Sequence, residues 1–368
     1  MNKRTGYAVF ENSGEDLYFE NVAIPDLKEG EILIRNNYCT LCRSDLNTFI
    51  GKRREKTPTI LGHEIIGIIE GLGPDAPQTD LRGHELKIGD RLTWAIYASH
   101  PESYYSLKGM PQKAEGLFKY GHEQITKENN LHGGLSEYTI LRKNTPVVFI
   151  ANDVPDPVAA LLNCSVATVA GAIRMVENLD GKTVLISGTG MLGIIACAMA
   201  KKGKAALVIA SDSDIIRATT ARSFGADLAI QSDICDDMRQ SLNKMKPEST
   251  IKIDVVLEFS GVPEAMENTL QMLDIGGSAV WIGATFPQRD LKINAEYVIR
   301  NLLSVKGLHN YNEHDFLQGI SFIEQHHSSF DFKSLVYDGF PLHKVNEAFR
   351  YAIEENPFRV GINLTSQK

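Results

Sequence analysis

Two short stretches hold most of the chain's reactive side chains: Cys42-Arg43-Ser44-Asp45 and, some twenty residues on, Gly62-His63-Glu64. Thiolate and imidazole are the side chains zinc takes most readily among protein ligands, and a zinc that does chemistry keeps three of them and one open position. Cys42 and His63 therefore call for a third ligand. Cys164, in the apolar run 159–168 just before a glycine-rich segment, is the best candidate. Asp45 and Glu64 are carboxylates suited to orient a ligand or change the metal's charge, and Ser44 is a hydroxyl able to pass a proton. Taken singly, each thiol and the imidazole would read as an ordinary core residue. Taken together, with carboxylates beside them, they point to metal-assisted chemistry. Cys39 makes a Cys-x-x-Cys pair with Cys42, but no second such pair exists, so a site built from two pairs is excluded and Cys39 reads as a buried thiol.

The second constellation is Gly188-Thr-Gly190-Met-Leu-Gly193. A lone GxGxxG is weak. Here a strand-like run, Thr183–Ser187, precedes it, a helix-like run to Lys201 follows, and Asp212 stands nineteen residues beyond the last glycine. Glycines in such a turn let a pyrophosphate approach the helix N-terminus, whose amides and dipole favour an anion. Asp212 closes a second strand, where a carboxylate accepts hydrogen bonds from a ribose diol and repels a 2'-phosphate, so NAD is expected over NADP.

These groups need a frame. Residues 7–35 read as short strands with tight turns, and the Cys42 motif as a turn into a short helix. The β-branched run ending at Leu72 reads as a strand presenting His63, and 91–97 and 135–141 as further strands. Residues 98–134, polar, aromatic and glycine-rich, form a long lobe. Helix-like and strand-like segments then alternate through 254–258 and 278–283, which implies a parallel sheet covered by helices. Cys197 and Cys235 fall on helices or loops of this module. Residues 359–364 are expected to return as a strand to the first domain. The expected architecture is α/β, with domains at 1–153 plus 309–368 and at 154–308.

The totals agree. With 368 residues, 43% hydrophobic and 23% charged, the chain suits two soluble domains. A net charge of −8 without a basic tract argues against nucleic acid. The start has no apolar core of a secretory signal, and the longest apolar stretch is read as 191–200, too short for a bilayer. Five irregularly spaced cysteines suit a reducing, cytoplasmic setting rather than a disulfide framework.

Cys39-Thr-Leu-Cys-Arg-Ser-Asp45, Pro58-Thr-Ile-Leu-Gly-His-Glu64, Leu161-Leu-Asn-Cys-Ser165 and the Gly188 turn together resemble the zinc-dependent medium-chain alcohol dehydrogenases over essentially the full length. Pro111-Gln-Lys and Leu117-Phe-Lys-Tyr-Gly-His-Glu123 are similar to the branch associated with phosphonate catabolism. The resemblance implies a partly open, GroES-like β-barrel catalytic domain, a Rossmann domain and an active site between them. It implies Cys42, His63 and Cys164 as zinc ligands, Glu64 as an occasional fourth, Asp45 as the carboxylate behind a ligand, and Ser44 as the hydroxyl that meets the alcohol oxygen. Arg43 and Arg359 would touch the pyrophosphate and Thr168 would pack near the nicotinamide. Homodimers or homotetramers are common in the family, and the strand at 278–283 is read as an exposed edge able to pair with its twin.

Two positions depart from the family pattern. The four lobe cysteines of many relatives are matched by His100, Ser103, Ser106 and Ala114, so one zinc per chain is expected, with the lobe held by packing of Tyr104 and Tyr105. Asn47 stands where relatives often carry a histidine that hands the proton to solvent, and Asn does not titrate. Lys52-Arg53-Arg54 and Lys119 are cations that an anionic substrate group would use, although short charge runs are usually solvated faces. The competing readings are a polyol or amino-alcohol dehydrogenase, a zinc-free quinone or enone reductase, and a catalytically silent dinucleotide-binding protein.

Overall fold

Two sheets organise the chain. The structure, a computed structural model, describes residues 4–231, 238–245 and 251–365, so Cys235 lies outside the described residues. One compact unit comprises Met1–Cys164, Asn312–Phe316 and Ile323–Lys368; the other comprises Ser165–Tyr311 and Leu317–Phe322.

In the first unit a seven-stranded, mostly antiparallel sheet runs Val336–Pro341, Arg359–Asn363, Ile32–Leu41, Glu64–Leu72, Arg91–Trp94, Val147–Phe149, with Tyr138–Leu141 also paired to Ile32–Leu41. Ile32–Leu41 alternates buried and half-buried residues, as a period of two dictates, and is buried throughout from Tyr38 onward. Its end pairs with the next strand as Cys39↔Ile65 and Thr40↔Glu64, which brings the segments of Cys42 and His63 side by side. Tyr7, Ile34, Ile65, Leu92, Trp94 and Phe349 belong to the core beneath. Arg359–Asn363 does return to this sheet, antiparallel to Ile32–Leu41.

The second unit holds a six-stranded sheet, parallel throughout, in the order Leu228–Gln231, Leu207–Asp212, Thr183–Ser187, Ile253–Glu258, Leu273–Trp281, Ser304–Gly307. This is the doubly wound 3-2-1-4-5-6 order. Its central strands Thr183–Ser187 and Ile253–Glu258 are short runs rich in β-branched and apolar residues, almost wholly buried because helices cover the sheet.

Three expectations are corrected. Ser278–Trp281 is an inner segment, paired with Ile253–Glu258 on one side and with Ser304–Gly307 on the other. The edge is Ser304–Gly307, exposed along its length and too polar to stand out as a strand. The lobe does not rest on its tyrosines: Tyr104 and Tyr105 are 58% and 39% exposed and lie edge to face on each other. It is held by a short hairpin, Tyr97↔Lys119 and Ala98↔Phe118, and by polar bonds where relatives carry cysteines. Ser103 Oγ caps the turn Tyr104–Leu107 by accepting from Ser106 N, and meets Ser106 Oγ at 2.8 Å. Finally, among the described residues it is Asp156–Arg174, not 191–200, that forms a helical stretch long and apolar enough to cross a bilayer. It passes the length and composition test for a membrane span, yet 78% of its apolar window is buried within the fold, as in a core helix.

The entry to that stretch is fixed by Arg91. The buried guanidinium donates to Ala151 O (2.8 Å) and Val154 O (2.9 Å) and pairs with Asp156. Arg91→Met leaves two carbonyls and a carboxylate without their donor, and is expected to lower unfolding stability by about 2 kcal/mol. Denaturant titration checks this, and a loss under about 0.5 kcal/mol would show that Arg91 is not the tether.

Candidate metal centre and dinucleotide turn

Cys42 ends the strand-to-helix passage as the residue before helix Arg43–Phe49. Asp45, in the first turn of that helix, is buried and turns its carboxylate back on the turn: Oδ2 accepts from Cys42 N (2.9 Å) and Oδ1 from Gly62 N (3.2 Å). Oδ1 also lies 3.4 Å from His63 Nδ1. One carboxylate thus caps a helix, anchors the loop before His63 and faces the imidazole. His63 Nε2 points to the opposite side, 3.4 Å from Ser44 Oγ. Cys164 comes from a wide π-type turn at Leu162–Val166, a distortion frequent at functional sites. Asn163 ties this turn to the others, donating from Nδ2 to His63 O (2.9 Å) and accepting from Ile65 N (3.4 Å).

The outcome is a group of two thiols and an imidazole whose ligand atoms lie within 4.8 Å of one another. A tetrahedral zinc spaces such atoms roughly 3.3–3.8 Å apart, so the donors fit the ion in type and number and stand near enough to close on it. Cys42 is held well below the usual thiol range, because Cys164 donates to it and Arg359 and His63 lie beside it, which together outweigh burial. Cys164, the half-buried donor of that pair, is pushed up, first by its hydrogen bond to Cys42 and then by desolvation. Burial opposes a charge on His63, but Asp45 and Cys42 more than offset it and raise its pKa. Cys39 is pushed up by burial and stays a thiol under the site, its Sγ facing Thr40 O.

Glu64 is buried on the other side. Its carboxylate accepts from Thr40 Oγ1 (2.6 Å) and from Arg359 Nε and Nη2 (2.9 and 3.2 Å), while Arg359 Nη2 also lies 3.6 Å from Cys42 Sγ. Arg359 therefore faces the sulfur cluster in this structure. Arg43 is exposed and donates to Asn356 Oδ1 (2.9 Å). Sequence reasoning overlooked Asn163, although a polar residue inside an apolar run demands partners and is itself a signal. It also overlooked His122, whose ring lies 4.9 Å from that of His63. His122 Nδ1 meets Glu55 Oε1 at 3.0 Å, and burial first of all lowers its pKa to about 4, so the ring is neutral at pH 7.

In the second unit, Gly188 has φ of +84°, and a Cβ there would lie 2.6 Å from Ser260 N; at Gly193 a Cβ would collide with Gly188 O. Both glycines are demanded by the fold. Gly190 is not, since its nearest neighbour, Arg217 Nη1, would sit 3.6 Å from a Cβ. A bare backbone there leaves room for a group to approach from outside. Asp212 accepts from Thr189 N (2.7 Å) and thereby pins the turn to the end of the second strand. Thr168 is buried in the first turn of helix Ala167–Arg174.

Residues 28–152 match the family model described as alcohol dehydrogenase GroES-like domain, and 192–325 match that of zinc-binding dehydrogenase. The chain is 24% identical to D-arabitol-phosphate dehydrogenase of Enterococcus avium, over 95% of this chain and 94% of that protein. It is 25% identical to sorbitol dehydrogenase of Bacillus subtilis, over 94% and 93%. The crystal structure of an alcohol dehydrogenase from Thermotoga maritima superposes with a TM-score of 0.90 at 24% identity, covering 98% of this chain and all of that one. The two family models span most of both units, and the folds coincide. The chain is an oxidoreductase of the zinc-binding medium-chain alcohol dehydrogenase family.

Proposed function

We propose that this chain is a zinc- and NAD-dependent dehydrogenase that interconverts a small alcohol and its aldehyde or ketone, with one zinc per chain held by Cys42, His63 and Cys164. The observation that carries the reading is the convergence of those three donors. The first unit is the catalytic domain and the second the dinucleotide-binding domain of a cytoplasmic homo-oligomer. When bound, zinc supplies Lewis acidity and the nicotinamide accepts or returns the hydride. The chain's own residues do the rest. Ser44 Oγ, 3.4 Å from His63 Nε2, would relay the alcohol proton, accepting it as its own hydroxyl proton passes on to water. Asp45 holds the imidazole in one orientation, and Glu64 with Arg359 balances the charge beside Cys42. Gly188, Gly190 and Gly193 receive the pyrophosphate, joined by Arg43, while Thr168 lies at the nicotinamide and Asp212 selects the ribose diol. Arg359 serves the pyrophosphate only if its guanidinium keeps a donor beyond Glu64.

For substrate, the resemblance to the phosphonate-associated branch and the Lys52–Arg54 and Lys119 cations favour an alcohol bearing an anionic group. The neutral polyol reading is favoured by the likeness to a sorbitol dehydrogenase. Polyol phosphates satisfy both, as the name of the arabitol-phosphate relative illustrates.

Metal analysis of purified protein is expected to give about one zinc per chain, lost in Cys42→Ser and in Cys164→Ser together with alcohol-dependent NADH formation. Two zincs per chain would refute the single-site reading, and no zinc in the wild type would refute the mechanism. In a separate experiment, Asp212→Asn removes the charge that opposes a 2'-phosphate while keeping the side chain's shape. The ratio of kcat/KM for NAD over NADP should fall about tenfold. An unchanged ratio would take the selecting role away from Asp212.

A further inference from the structure

The six-stranded sheet reverses its order between Thr183–Ser187 and Ile253–Glu258. The two strands that follow Thr183–Ser187 in the chain lie on one side of it, and the next three lie on the other. A crevice opens at the carboxyl ends of the strands at such a point, and a dinucleotide lies across it. Ser187 and Glu258, the last residues of the two strands, are paired neighbours, and both are buried.

Glu258 gathers three loops at this point. Its Oε1 accepts from Ser260 N (2.9 Å) and from Ser260 Oγ, its Oε2 accepts from Gly261 N (3.1 Å), and Ser187 Oγ lies 3.5 Å from Oε1. Its carbonyl accepts from Ile282 N (3.0 Å) and Gly283 N (3.2 Å), at the end of the next strand. Phe259 N donates to Ser187 O (2.8 Å). These bonds bring three backbones into contact. A Cβ on Gly188 would meet Ser260 N at 2.6 Å, and one on Gly261 would meet Gly283 O at 2.5 Å. Strand pairing needs none of the side-chain bonds, since Ile253–Glu258 is paired through its backbone on both sides. A buried carboxylate is unfavourable by several kcal/mol, and burial pushes the pKa of Glu258 up against the bonds it accepts. What the carboxylate secures is the path of 259–261 against the glycine turn.

Asp212 ends the strand on the opposite side of Thr183–Ser187 from Glu258. With the adenosine ribose at Asp212 and the pyrophosphate at the glycine turn, the nicotinamide half runs over the ends of Ile253–Glu258 and Leu273–Trp281. We propose that Glu258 is a positioning residue for that half: through Ser260 and Gly261 it shapes the floor on which the nicotinamide ribose rests, without touching the cofactor itself. This rests on the dinucleotide reading above and adds to it a residue outside the glycine motif.

The test compares two ligands by calorimetric titration: NADH, and ADP, which keeps the adenosine and both phosphates but lacks the nicotinamide ribose and ring. Glu258→Gln keeps the shape but sets an amide against N–H donors. It should weaken NADH binding about tenfold while changing ADP binding by less than about twofold. Ser260→Ala removes one hydroxyl, leaves both amide bonds in place, and should weaken NADH about threefold with ADP again nearly unchanged. Glu296→Gln, an exposed partner of Arg300, should change neither. Circular dichroism and thermal melting check the fold, and if Glu258→Gln does not fold, Ser260→Ala decides. Loss of NADH and ADP affinity in equal measure would reduce Glu258 to a support of the whole sheet and overturn the proposal. Unchanged NADH affinity overturns it as well. A wild type that binds neither nucleotide overturns the dinucleotide reading and this role with it. A wild type that binds both, with variants that do not separate them, overturns this role alone.

Discussion

A buried carboxylate is unfavourable by several kcal/mol unless its lone pairs are used, and Asp45 uses them on the backbone amides of Cys42 and Gly62. That requirement fixes two chain segments against each other more tightly than strand pairing alone. It sets the thiol of Cys42 and the imidazole of His63 on the same side of the strand ends. Asn163 extends the same logic to the third segment with one amide group, donating to the His63 carbonyl and accepting from the Ile65 amide. The donors are thus registered by hydrogen bonds among protein groups alone. A site prepared in this way spares the ion the ordering of its ligands, and the depressed thiol of Cys42 spares it part of the deprotonation.

Around this arrangement the charges come in opposed pairs. Asp45 faces His63, and Glu64 faces Arg359, which also reaches the Cys42 sulfur. Removing either cation would leave an anion buried beside thiols, and removing either anion would leave an unpaired cation. The local field is a property of the four together, so their effects should not add independently.

Much of this was legible in the sequence because zinc donors are chemically rare and their spacing is informative. The same holds for the glycine turn, where Gly188 and Gly193 are forced by backbone contacts and Gly190 is not. The parallel sheet followed from the alternation of elements. What escaped notice shares a physical cause: the interactions are polar, and polar residues carry no periodic signal. Ser304–Gly307 is an edge strand with no apolar face, so an inner strand was taken for the edge. Ser103 and Ser106 replace a metal cage by a hydroxyl cap, which composition does not distinguish from a loop, and the tyrosines that looked like packing turned out exposed. Asn163 was hidden by the cysteine next to it. The direction of Arg359 depends on a partner 295 residues away and is set only by the pairing of Arg359–Asn363 with Ile32–Leu41.

That pairing carries a consequence for how the protein is made. The strand Arg359–Asn363 leaves the ribosome long after the segments bearing Cys42, His63 and Cys164, and after the whole parallel sheet. At translation speeds of about 5–20 residues per second, the thiols spend many seconds together without the guanidinium that later lies against Cys42 and neutralises Glu64. During that interval the first sheet lacks an inner strand and exposes the edge of Ile32–Leu41. The nascent chain is therefore most open to oxidation and mispairing just when Cys42, His63 and Cys164 have already been synthesised, and it closes that window itself as residue 359 docks.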